Sequence, residues 1–172
     1  MYDASAKTTT TAWSLNQAIY KGRVLLEDLV GILFRFRSHK ISLIADIEKA
    51  YLQIGLKPED RDYVRFLWLK DIAAPLDFNN LRHLRFMHIA FGIIASQFIL
   101  TAVVLHHITR NPSPFSEKLK QDFYADNLIS GCETEEEVMQ FFNTAIAIFD
   151  RIHEFTSMGY VIGNNSKFHS AS

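Results

Sequence analysis

Four residues, Tyr124-Ala125-Asp126-Asn127, carry the clearest chemical signal in this chain. Phe123 precedes them and Leu128-Ile129 follow, so two short β-prone runs are joined by an Asp-Asn pair. Both residues tolerate the positive φ of a two-residue turn, and the segment is predicted to be a tight hairpin with Asp126-Asn127 at its turn. An acidic side chain at such a tip is held rigidly and aimed at whatever lies opposite, as divalent-metal chemistry demands. A surface turn without chemistry has the same local signature. A second acid, Asp46, ends the apolar run Ile41-Ser42-Leu43-Ile44-Ala45, 80 positions before Asp126. Taken alone it reads equally well as a strand-end cap or as an ion-pair partner of Lys49.

Other chemistry-bearing residues fall into weaker patterns. His106 and His107 are neighbours on a predicted helix and point in different directions, so they cannot chelate one ion as an i, i+4 pair could. The seven histidines otherwise lack ligand spacing and read as structural. Arg82, His83, Arg85 and His88 gather around a predicted strand, where they suit either phosphate contact or a solvated basic edge. Cys132 is the single cysteine, which excludes an internal disulfide and a cysteine-cluster zinc site and fits a reducing compartment. The net charge of −1 lacks the basic surplus of most nucleic-acid binders, so any such binding must use a local patch.

These residues need elements to position them. At 172 residues and 48% apolar, the chain is long and hydrophobic enough for one domain, 1–172, with a real core. The amino terminus, MYDASAKTTTTAW, has no apolar signal-peptide core, and Phe91–Leu105 is too short and too polar to span a bilayer. Apolar residues at helical spacing predict a helix over Leu25–Phe36, with acids early and arginine late. A strand over Ile41–Ala45 follows. Glu48–Gln53 is helical or irregular, and Lys57–Asp62 is a polar loop. Tyr63–Leu69 and Leu84–Ile89 are predicted to pair as an antiparallel hairpin around a turn at Pro75–Asn80. Phe91–Ile108 reads as a helix, broken by Asn111-Pro112-Ser113-Pro114. Thr134 and Glu137 form a capping box. The helix it starts carries Val138, Phe141, Phe142, Ala145, Ile148, Phe149, Ile152 and Phe155 on one face and ends near Gly159. The order points to an α+β fold, an antiparallel sheet with helices on one face.

The ordered set LIADIEKAYLQIGL, HIAFGIIASQF and YADN resembles the three motifs of the reverse-transcriptase palm. Flanking segments YDASAKT…SLNQAIYKG, DLVGILFRFR, DRDYVRFLWLKD and LTAVVLHHI look like BEL/Pao-type retrotransposons, and the resemblance covers nearly the whole chain. It implies a polymerase palm-like sheet with partial fingers and no thumb, as in a fragment of a longer polyprotein. It also implies RNA-directed DNA polymerase activity by two-metal nucleotidyl transfer, because two magnesium (or manganese) ions clamp the attacking and leaving oxygens. Magnesium takes few oxygen ligands from protein, so two carboxylates on adjacent strands suffice. By resemblance Asp46 and Asp126 are catalytic metal ligands, with the Ile47 carbonyl as a further ligand and Asn127 beside them. Tyr51 would sit beneath the incoming sugar and exclude a 2′-hydroxyl. Phe91 and Gly92 would line the nucleotide pocket, and Lys167 lies where some polymerases protonate pyrophosphate. The implied partners are an RNA/DNA template-primer, dNTPs and the protease, RNase H and integrase parts of a full element, in a cytoplasmic retroelement particle, with no membrane.

The chain departs from the pattern in several places. Asn127 stands where many relatives carry a second Asp, so the site has one negative charge fewer and should hold metal less firmly. Ala90 and Gln97 stand where the second motif usually has prolines, which loosens the loop and its helix entry. By the same resemblance, the basic finger residues that precede this region in relatives and the thumb that follows it are expected to lie outside this chain. An inactive or decayed retroelement fragment with weak nucleic-acid binding is therefore the alternative. An unrelated helix-rich interaction module would instead lack a sheet with Asp46 beside Asp126.

Overall fold

A computed structural model describes residues 2–149 and 158–164. The chain folds as two compact units, each built from two segments. The first unit comprises Met1–Gly22 and Tyr51–Ser96, the second Arg23–Ala50 and Gln97–Ser172.

The second unit holds a four-stranded antiparallel sheet in the order β4-β5-β1-β6. Its strands are β1 (Ile41–Ile47), β4 (Phe123–Tyr124), β5 (Asn127–Cys132) and β6 (Met158–Asn164). Leu43, Ala45 and Ile47 alternate along β1 and are buried, whereas Ile44 and Asp46 between them are exposed. Antiparallel pairing lines up Leu43 with Ser130 and Ala45 with Leu128, both buried, so one face of the sheet enters the core. The opposite face carries Ile44, Asp46, Asn127 and Ile129.

Helices pack against β5 and β1 and supply the rest of the core. Helix α2 (Leu29–Ser38) starts four residues later than the periodicity suggests, because Asp28 caps it by accepting from the backbone of Val30 and Gly31. Helix α3 (Ser96–Arg110) buries Leu100, Val104 and Ile108 at four-residue steps. Helix α5 (Glu135–Phe149) begins at the expected capping box, with Thr134 Oγ1 accepting from Glu137 N–H and Glu137 Oε2 from Thr134 N–H. Val138, Phe141, Phe142, Ala145, Ile148 and Phe149 are all buried on it. Burial of each large side chain of this kind contributes about 1.5–3 kcal/mol. Ile152 and Phe155 lie outside the described residues, and Gly159 is not a helix stop but part of β6. The expected α+β architecture with an antiparallel sheet and helices packed on it is thus present.

The first unit is smaller. A capping box between Ser14 and Gln17 starts α1 (Leu15–Ala18). Strands β2 (Arg65–Leu69) and β3 (Leu81–Arg85) form the expected hairpin, which starts earlier in its second strand than predicted. Buried Asn80 closes the connection, its amide donating to the carbonyls of Asp71, Ala74 and Pro75. The predicted second half of β3 is used elsewhere: Met87 accepts from Leu56 N–H, and Ile89 donates to Ile54 O.

Candidate active site

The β4–β5 hairpin has the two-residue turn the sequence suggests, shifted by one residue. Tyr124 pairs with Asn127, so the two loop residues are Ala125 and Asp126, not Asp126 and Asn127. The positive φ falls on Ala125 at 59°, while Asn127 already belongs to β5. A positive φ at the first loop position alone is the pattern of a type II′ turn.

Strand β1 delivers Asp46 to this hairpin. The 80-residue gap closes because β1 pairs with β5 in a register that sets Asp46 opposite Asn127. One step further, Ile47 N–H donates to the Asp126 carbonyl at 3.0 Å. Directly opposed residues in such a pair share a face with Cβ atoms roughly 4.5–5.5 Å apart. Asp46 is exposed there, Asp126 and Asn127 are half-buried, and the Ile47 side chain is buried. Asn127 Nδ2 donates to Asp126 Oδ1 at 2.9 Å, so the amide at the departing position engages one oxygen of the neighbouring carboxylate. Lys49 does not pair with Asp46 as the sequence allowed. It takes a positive φ of 52° and its ammonium meets Glu48 at 3.1 Å. Two carboxylates and a strand-end carbonyl are hard oxygen donors of the kind magnesium accepts, provided water completes its shell. Among the described residues no group of three or more His, Cys, Asp or Glu side chains gathers to form a fuller cage.

Behind the hairpin lies an arrangement that sequence reading missed. The segment after the prolines forms α4 (Ser116–Asp122), which runs directly into β4. Its last residue, Asp122, is only 3% exposed. Asp122 accepts from Arg35 Nε at 3.2 Å and from Ser130 Oγ at 2.6 Å, and Lys118 Nζ lies 3.3 Å away. Arg35 also donates to the Gln121 carbonyl. These bonds tie the start of β4 to the middle of β5 and to α2. The helical spacing of Lys118 and Asp122 was the available signal, but the distant arginine that completes the network left none.

The predicted site residues Tyr51, Phe91 and Gly92 belong to the first unit. Tyr51 sits in a 3₁₀ turn (Ala50–Gln53), 8% exposed, with its ring centroid 4.5 Å from that of Phe91. Phe91 is 58% exposed. Gly92 has a φ of +89°, which favours glycine, and a Cβ there would also crowd the Tyr2 carbonyl at 3.1 Å. This turn occupies the first residues of the helix predicted from Phe91, and α3 starts only at Ser96. Asn16, which sequence reading passed over, clamps it: its amide donates to Gly92 O and its oxygen accepts from Ile94 N–H, both at 2.8 Å. Ser96 Oγ donates to Ala90 O at 2.8 Å, so the loop that lacks prolines is held by side-chain bonds instead. His107 Nε2 donates to the Ile148 carbonyl and the His107 carbonyl accepts from Asn111 Nδ2, the structural role expected of it. Lys167 lies outside the described residues.

The α+β fold is like that of part of a reverse transcriptase, with a palm-like sheet. The chain is similar to a solved structure of the foamy viral protease-reverse transcriptase in complex with RNA/DNA hybrid, with a TM-score of 0.54 and 17% identity. The match covers 83% of this chain and 16% of that one, and at this identity the likeness is one of fold. No protein-family model and no curated protein matches the sequence.

Proposed function

We propose that this chain is the palm-containing part of a BEL/Pao-type reverse transcriptase, which extends a DNA primer by RNA-directed nucleotidyl transfer. The observation that carries the reading is the β1–β5 register, in which Asp46 stands opposite Asn127 and Ile47 bonds Asp126. Asp46, Asp126 and the Ile47 carbonyl would hold magnesium or manganese. When bound, the ions would supply a polarised primer hydroxyl and charge neutralisation on the phosphates. Tyr51 would select deoxyribose, and Phe91 with Gly92 would bound the nucleotide. Lys167 as a general acid to pyrophosphate belongs to the same reading. So do the template-primer, the remaining polyprotein domains and a cytoplasmic particle. Among the described residues no helix is long and apolar enough to cross a membrane.

One observation favours a second reading, loss of activity: Asn127 is a neutral residue beside Asp126 and its amide donates to one oxygen of the carboxylate that a metal would use. Primer extension on an RNA template with magnesium or manganese separates the two. In the first reading the parent chain incorporates dNTPs, Asp46→Ala and Asp126→Ala abolish it, and Asn127→Asp raises it. In the second the parent is silent and Asn127→Asp restores extension. Incorporation that survives Asp126→Ala would sink both assignments of the hairpin.

A further inference from the structure

The β2–β3 hairpin carries charge that its fold does not need. Its register sets Arg65 directly opposite Arg85, and like charges so placed on neighbouring strands repel. His83 lies two residues before Arg85, on the same face of the strand. Asp62 bridges the two arginines, its Oδ2 3.0 Å from Arg65 Nη2 and its Oδ1 2.7 Å from Arg85 Nη1. The side chains of Arg65, Arg85 and Asp62 are 55%, 57% and 50% exposed, so these ion pairs add little to stability. The Arg85 hydrogen bond first, and the Arg65 bond second, hold the Asp62 carboxyl below its usual range. The two guanidiniums therefore converge on one anion position, and each brings further N–H donors to it. With His83 and Leu84 the three residues line an open cleft of about 320 Å³. Each guanidinium gives one contact to a different carboxylate oxygen, which leaves its remaining donors for the additional oxygens of a phosphate.

We propose that Arg65, Arg85 and His83 form a phosphate-binding cleft in which Asp62 is the internal anion that a phosphate replaces. This answers the near-neutral composition: a local patch supplies the contact that net charge does not. As a grip on a nucleic-acid backbone the cleft rests on the polymerase reading, whereas as a phosphate site it stands without it. The phosphate could come from an oligonucleotide backbone or from a nucleotide's triphosphate.

The test is binding by the full chain to a fluorescein-labelled single-stranded oligodeoxynucleotide, followed by anisotropy across a salt series, and separately to dTTP by calorimetry. Arg65→Ala/Arg85→Ala is expected to weaken binding and lower the log–log salt slope for the oligonucleotide by about one. Asp62→Asn, which removes the competing anion, is expected to tighten binding several-fold, a gain that unfolding cannot mimic. An effect on the oligonucleotide alone assigns the backbone, and one on dTTP alone assigns the triphosphate. The proposal is overturned if the double variant keeps parental binding to both, or if Asp62→Asn binds neither more tightly. Primer extension lost in Asp126→Ala, with binding unchanged in the arginine variant, would overturn the cleft while leaving the polymerase reading intact.

Discussion

Ala125 holds a φ of 59°, a conformation that costs an ordinary L-residue about 1–2 kcal/mol. Asp126 is the next residue, so the strain sits at the tip that presents the candidate metal ligand. Glycine would remove the strain but adds about 0.5–1 kcal/mol of chain entropy to the unfolded state. Ala125→Gly should therefore stabilise the protein by about 0.5 kcal/mol, seen as a higher urea midpoint at constant slope. A lower midpoint would show that the turn geometry is supported in some other way. The sequence marked Asp126 correctly as a tip residue, yet assigned the turn to the wrong pair. Residue preference favours Asn for positive φ, but Asn127 is claimed by its pairing with Tyr124 and its register opposite Asp46.

At the scale of elements, the pairing of β1 with β5 is what brings Asp46 to the hairpin, and Gly131 permits it. A Cβ at Gly131 would lie 2.5 Å from the carbonyl of Ile41, the first residue of β1, and 2.7 Å from the Cβ of His39 just before the strand. Backbone cannot swing aside as a flexible side chain can. Gly131→Ala should cost at least the ~1–3 kcal/mol of an overpacked core, measured by chemical unfolding, with faster amide exchange along β1. Unchanged exchange there would show that the sheet absorbs a methyl freely. Helices α3 and α5 and strand β1 were legible because their periodicities are local. Helix α4 and strand β6 were not, since one is short and charged and the other takes its place only by pairing with β1.

At the scale of the whole molecule, pH acts on groups in both units. Desolvation raises the Cys132 thiol above its ordinary value of 9.0, with nearby Glu137, Asp122 and Glu133 adding to it and Lys118 opposing it. Burial likewise raises Tyr2 above 10.0. In each case the folded state keeps its proton longer than the unfolded chain does. That contribution is complete below the unfolded values and is lost as pH rises through them towards the folded ones. Stability should fall as pH passes about 9, and Cys132→Ala with Tyr2→Phe should flatten the fall, as read by thermal unfolding across pH. At the acid end Asp62, whose carboxyl is lowered by its arginines, loses its contribution as pH drops below the ordinary 3.8.

What the sequence determined by itself was a set of local facts: the strand that carries Asp46, the acid at a hairpin tip and the capping box of α5. These are written in side-chain preference and in periods of two and 3.6 residues, which act between near neighbours. Only the tertiary structure decided that Asp46 faces Asn127, that Asn127 bonds Asp126, and that Asp122 is buried against Arg35 and Ser130. It also decided that Arg65 and Arg85 share one carboxylate. Each of those depends on strand register or helix docking between distant segments, and register is set by which faces the whole core can bury.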